Sequence, residues 1–385
     1  MWFDDALDEQ LAALAAVSRL RRLRPVSAFG ARLELPDGRV LIDASSNDYL
    51  GLSQHPEVKA RAIAWTGRYG AGTRASRLVT GTLDAVLELE DKLARFKGKE
   101  AALILNSGFQ ANSTVLPALF ALAGSDAIAV FTDRLNHASL HHGCRAAGVD
   151  QIRFRHNDLG HLESLLQQQG QARRFIVTES VFSMDGDRAD VAALVRLARD
   201  HDAVLYIDEA HATGVLGPQG RGLAAEISGP DVVVMGTLGK ALGGAGAYIA
   251  GSRRLIDHLV NRCAGFVYST APPPAAYGAA DAALDLVPGM ETERALLARR
   301  GERLRAALQA RGIDTLASTT QIVPAVLGAE EAALDAQRRL EEAGVLAVAI
   351  RPPTVPRGAS RLRFSLSAAL SDEDFDLLLE AVANL

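Results

Sequence analysis

The chain has 385 residues, 48% of them hydrophobic and 23% charged, which argues against disorder and suits a large globular domain with a smaller companion. Its net charge of −5 gives no overall basic face for nucleic acid. Two cysteines, Cys144 and Cys263, cannot build a disulfide framework and fit a reducing, cytoplasmic setting.

The acidic start, Met1-Trp2-Phe3-Asp4-Asp5, is unlike a signal peptide, and no run reaches the ~18 apolar residues of a membrane span. Residues 4–24 read as an amphipathic helix ending in Arg21, Arg22 and Arg24 and stopped by Pro25. A hairpin follows, with Pro36-Asp37-Gly38 at its turn. Residues 45–52 form a polar loop, 56–68 a helix, and 70–81 a glycine-bearing loop. From residue 83 strand and helix patterns alternate. A helix over 83–96 precedes an apolar run at 101–105 and a second helix from Phe109, in which 115–123 is buried. Strand-like runs recur at 127–131, 151–154, 175–178, 204–207, 232–235 and 247–250. Amphipathic segments between most of them predict a mostly parallel sheet covered by helices on both faces. Pro272-Pro273-Pro274 interrupts the alternation. Helices at 275–286 and 291–311 and strands at 323–327, 345–349 and 361–365 then predict a smaller α+β domain. The expected organisation is a helix and hairpin segment over 1–46, a large α/β domain over 47–285 and a small C-terminal domain over 286–385.

Four segments carry chemistry. In Gly236-Thr237-Leu238-Gly239-Lys240-Ala241 a lysine stands just beyond an apolar strand among small residues. Such residues let a planar group approach the backbone, and a neutral lysine amine condenses with an aldehyde. A nucleotide P-loop fails here, because Val234 holds the first glycine position and Ala241 stands where Ser or Thr is needed. In Ile207-Asp208-Glu209-Ala210-His211 a strand delivers an acid at its carboxyl end, where open α/β sheets place ligands. Asn106-Ser107-Gly108-Phe109 opens a helix after a strand, a place suited to phosphate. Asn136-His137-Ala138-Ser139 puts a flat imidazole at another helix start. His137 and His141 have the spacing of a metal pair, but no third ligand is evident, and no metal is expected.

Together these segments resemble the α-oxoamine synthase family of fold type I pyridoxal-phosphate enzymes. The resemblance runs from Arg21 through Ser45-Ser46-Asn47-Asp48-Tyr49-Leu50-Gly51-Leu52, the helix starts at Ser107 and His137, Val181-Phe182-Ser183-Met184-Asp185-Gly186-Asp187, Asp208-Glu209-Ala210-His211 and Gly239-Lys240 to Ile350-Arg351-Pro352-Pro353-Thr354-Val355-Pro356. It implies an aspartate aminotransferase-like α/β fold, with a mostly parallel seven-stranded sheet in a large domain plus a small α+β C-terminal domain. It implies pyridoxal 5′-phosphate as cofactor, held by Lys240 as a Schiff base. By position Asp208 matches the partner of the ring nitrogen, His211 the donor to the phenolic oxygen and His137 the ring stacked on the cofactor. Ser107, Gly108 and Phe109 match the cofactor-binding turn, and Ser183 and Thr237 match further contacts. Thr270, in Tyr268-Ser269-Thr270, matches a segment that reaches the partner subunit's phosphate, which implies a homodimer with shared active sites. Arg21, Asn47, His137, Arg351 and Thr354 match substrate contacts.

The Ile350 to Pro356 stretch is similar to the biotin-synthesis branch of that family. The reaction implied joins L-alanine to a pimeloyl thioester, on coenzyme A or acyl-carrier protein, giving 8-amino-7-oxononanoate, carbon dioxide and free thiol. The alternative is a sister synthase condensing glycine with acetyl-CoA or succinyl-CoA, which Thr73 and Arg74 resemble. An ATPase using Asp208-Glu209-Ala210-His211 is a remote alternative that lacks its P-loop.

Overall fold

The computed structural model describes residues 1–385 apart from Gln171, Ser228 and Pro230. Seven short runs of β-branched and aliphatic residues form one sheet: β1 (Ala101–Leu105), β2 (Ile128–Asp133), β3 (Gln151–Phe154), β4 (Arg173–Glu179), β5 (Ala203–Asp208), β6 (Val232–Thr237) and β7 (Ala247–Gly251). Their order is β1-β7-β6-β5-β4-β2-β3. β7 runs antiparallel to both neighbours, and the pairs from β6 across to β3 are parallel.

Alternate residues of one strand enter two separate cores. Tyr206, Val233 and Met235 face one; Leu205, Ile207, Val232 and Val234 face the other. A sheet covered on both faces needs apolar residues at nearly every strand position, and this is what the sequence supplies. Three helices matter for the site: α1 (Asp84–Lys97), α2 (Gly108–Phe120) and α3 (Ala138–Ala146). The Ser107 hydroxyl caps α2 by accepting from the Gln110 N–H at 3.2 Å, and the chain leaves α1 through Gly98 at φ +62°, a left-handed exit that glycine favours.

The chain divides into two compact units. The larger holds residues 50–183 and 188–294; the smaller holds 1–49, 184–187 and 295–385. In the smaller unit Val40–Asp43 pairs in parallel with Val345–Leu346, so the N-terminal hairpin segment shares a sheet with the C-terminal residues. A second sheet joins Ile322–Gly328, Ser360–Ser365 and Val348–Ile350.

The structure corrects three element readings. The first helix spans Trp2–Ala16, not 4–24. Ser18 turns left-handed at φ 55°, and the basic residues then run extended. Arg19 Nε donates to Glu330 at 3.1 Å and Arg24 to Glu341 at 2.7 Å, so ion pairs to a distant helix outweigh local propensity. The run at 345–349 divides between two sheets at Ala347. The helix predicted to continue to residue 123 ends at Phe120 and tightens into a 3₁₀ turn.

Candidate active site

The parallel strands place acids and small residues at their carboxyl ends. β4 ends on Glu179, β5 on Asp208 and β6 on Thr237. Around these ends lies a cavity of about 200 Å³ whose lining includes Gly108, Phe109, His137, Asp208, His211, Thr237 and Lys240. Seven predicted site residues thus meet in one place.

Asp208 is 5% exposed. Its Oδ2 accepts from Asn112 Nδ2 at 2.9 Å and its Oδ1 from the Ala210 N–H at 2.8 Å. Among the described residues no cation pairs with it. Asn112 is itself fixed, since its Oδ1 accepts from the Tyr206 hydroxyl at 2.7 Å and its amide also reaches Ser139 Oγ at 2.9 Å. A buried carboxylate with a neutral hydrogen-bond shell and no counter-ion suits a cationic N–H donor from a ligand.

Beside it, the β4–β5 register sets Glu179 opposite Asp208. Burial and then the Asp208 charge push the Glu179 carboxyl well above its ordinary range. It accepts from the His137 N–H. His137 caps α3, with Nδ1 2.7 Å from Ser139 Oγ, and its imidazole is held below its ordinary value chiefly by burial. Across the cavity, Lys240 Nζ lies 2.7 Å from His211 Nε2. Thr237 Oγ1 donates to the Gly246 carbonyl at 3.0 Å and accepts from the Gly239 N–H at 3.1 Å, which fixes the turn carrying the lysine.

At the start of α2 the N–H groups of Gly108 and Phe109 have no acceptor among the described residues, and a Cβ on Gly108 would meet only Met235 Cε, at 3.8 Å. That leaves an anion cradle facing the cavity. The donor set therefore fits pyridoxal 5′-phosphate: an amine, an unpaired buried carboxylate, an imidazole beside the amine and free backbone N–H groups.

The remaining predicted residues lie elsewhere. Ser107 caps α2. Ser183 is buried at 7% exposure but is not in the cavity lining. Thr270 pairs with Ser76, and its carbonyl accepts from Asn106 Nδ2 at 2.9 Å. Arg21, Arg351 and Thr354 line a different cavity, of about 560 Å³, within the smaller unit. Arg351 there donates to the Ser18 carbonyl. Asn47 does not join Arg351. Its Oδ1 accepts from Tyr49 Oη at 3.2 Å and Arg363 Nη2 at 3.3 Å.

Sequence reasoning gave no role to Asn112, Ser139, Glu179 or to the Asn47–Arg363 pair. Asn112 could have been found one helical turn beyond Gly108, and Glu179 as the same strand-end acid one strand over from Asp208. The Arg363 contact depends on tertiary pairing and left no local signal.

Residues 39–382 match the family model for aminotransferase class I and II. The chain belongs to that family, whose fold is the fold type I of pyridoxal-phosphate-dependent enzymes. It is 61% identical over 378 residues to a protein of Bordetella bronchiseptica named a putative 8-amino-7-oxononanoate synthase, covering 97% of this chain and 94% of the relative. It is 59% identical to the 8-amino-7-oxononanoate synthase of Gluconacetobacter diazotrophicus, over 94% and 92% of the two chains. Among solved structures, a serine palmitoyltransferase from S. paucimobilis with bound PLP superposes with a TM-score of 0.90 at 25% identity, over 99% and 96% of the chains. The enzyme is thus an acyl-transferring, pyridoxal-phosphate-dependent one.

Proposed function

We propose that the chain is an 8-amino-7-oxononanoate synthase, joining L-alanine to a pimeloyl thioester with loss of carbon dioxide and release of the thiol, in biotin synthesis. The observation that carries the reading is the facing pair in one cavity: the Lys240 amine beside His211 and the unpaired Asp208 carboxylate. The relatives' name supports the choice of substrates. When bound, pyridoxal phosphate supplies an aldehyde for amines and a ring that accepts the electron pair released at the substrate Cα.

The chain's own residues would act as follows. Lys240 would hold the cofactor, and its amine Nζ would be placed to accept the substrate Cα proton. Asp208 would pair with the cofactor's ring nitrogen, His211 would donate to its phenolic oxygen and His137 would stack on its ring. Ser107, Gly108, Phe109 and Thr237 would complete the cofactor contacts. In the smaller unit, Asn47 and Arg363 offer an amide and a guanidinium for a carboxylate, and Arg21, Arg351 and Thr354 line the cavity for the acyl donor. Leu20, Leu334 and Ile350 give that cavity apolar wall, which suits a long methylene chain better than acetyl. Arginine at such a place suits an acyl carboxylate.

A homodimer belongs to the same reading. A single chain leaves Ile63 at 71%, Val79 at 74% and Tyr268 at 85% exposure, apolar surface that a second copy would cover, with Thr270 reaching the partner's cofactor phosphate. The test is a product assay with L-alanine, glycine and serine against pimeloyl, acetyl, succinyl and palmitoyl thioesters. Alanine with a pimeloyl thioester is expected to release carbon dioxide fastest. Preference for glycine or serine would replace this reading with a sister synthase.

A further inference from the structure

Beneath the cavity lies a second charged pair that the chemistry above leaves unused. Lys97, at the end of α1, and Glu209, next to Asp208, both have side chains 0% exposed and sit 2.8 Å apart. Glu209 Oε1 also accepts from the N–H groups of Leu223 at 2.6 Å and Ala224 at 2.9 Å. Lys97 Nζ also donates to the Arg221 carbonyl and reaches Thr213 Oγ1 at 3.4 Å. Burial pulls the lysine amine down, but Glu209 and Tyr248 outweigh it and leave the amine raised.

Two features tie this knot to the reacting groups. His211 lies between Glu209 and Thr213, and both ends of that turn are bonded to Lys97. Gly214, at φ +90°, comes so close to the Lys240 turn that a Cβ on it would stand 2.6 Å from Ala241 Cβ. The loop thus packs closely against the residue after Lys240 while carrying the imidazole that Lys240 touches. A buried ion pair is seldom worth more to stability than an apolar pair of the same volume. What it adds is direction, through several hydrogen bonds of fixed geometry.

We propose that Lys97 is a positioning residue: through Glu209 it sets the loop that carries Asp208 and His211, and so the alignment of both with Lys240. The inference rests on the reading of that site given above. Its test uses the holoenzyme and the double variant Lys97→Met/Glu209→Gln, which removes both charges without leaving one unpaired. Thermal stability, kcat, KM for the amino acid and the pH titration of the bound cofactor's visible absorbance are measured together. The expected result is near wild-type stability and KM, kcat lower by about 10–100-fold, and a titration midpoint displaced by at least about half a pH unit. Lys97→Arg keeps the charge but not the reach, and is expected to fold and show the same displacement. If the double variant does not fold, Lys97→Arg decides the matter. Wild-type kcat and an unmoved titration in a folded variant would overturn the proposal and leave the pair with a purely structural role. A wild-type protein that takes up no pyridoxal phosphate on Lys240 would instead overturn the reading of the site itself.

Discussion

Two carboxyl groups stand side by side at the ends of β4 and β5, and one acid there must give way. Glu179 and Asp208 are register partners, and like charges this near in a dry site do not both ionise. Burial and the Asp208 charge push the Glu179 carboxyl up, so Glu179 is the acid that gives way beside the Asp208 charge. Asp208→Asn keeps the shape and removes that charge. We expect kcat to fall by roughly 100-fold or more, since losing a charge partner in a desolvated site costs several kcal/mol, with a small change in amino acid binding. Turnover within threefold of wild type would remove Asp208 from the chemistry. His137 gives a pH prediction for stability. Its pKa is depressed below 6.5 by burial, so its contribution is full above the unfolded value and is lost as the pH falls through the folded one. Urea midpoints are therefore expected to drop between pH 7.5 and 5.5, with a shallower drop in His137→Phe. Identical slopes for the two proteins would contradict this.

At the scale of elements, the site depends on where helices start and loops close. The Ser107 cap orients the first turn of α2, and Ser107→Ala should cost about 1 kcal/mol in urea unfolding and loosen phosphate binding. Gly222 closes the loop around Glu209. At φ +92° a Cβ there would lie 2.2 Å from Glu209 Oε2 and 2.6 Å from Lys97 Nζ, so Gly222→Ala is expected to destabilise by at least about 2 kcal/mol. These starts and strand ends are also what the sequence makes legible. The runs at 204–207 and 232–235, the helix start after Asn106 and the lysine after β6 are local patterns of period, polarity and glycine. The first helix was misread because its end is set by Arg19 and Arg24 pairing with Glu330 and Glu341, more than 300 residues away. Glu209 was read only as part of a tetrapeptide, because its partner Lys97 lies 112 residues earlier. Contacts made across the chain leave no period to read.

At the scale of the whole molecule, the fold puts the Lys240 amine, the Asp208 acid and the His137 imidazole on three separate segments at one end of a mostly parallel sheet, as open α/β sheets do with ligands. The exposed apolar residues of the larger unit extend the account to assembly. Sedimentation is expected to give twice the 40.8 kDa of one chain, and Val79→Glu is expected to yield monomers with little turnover. A fully active monomer would show that one chain is sufficient. Everything rests on the covalent site. Borohydride reduction of the protein with pyridoxal phosphate, followed by peptide mapping, tests it most directly. One label per chain on the peptide containing Lys240, absent in Lys240→Ala, is the expected result. A label on another lysine, or the same labelling in Lys240→Ala, would contradict the account.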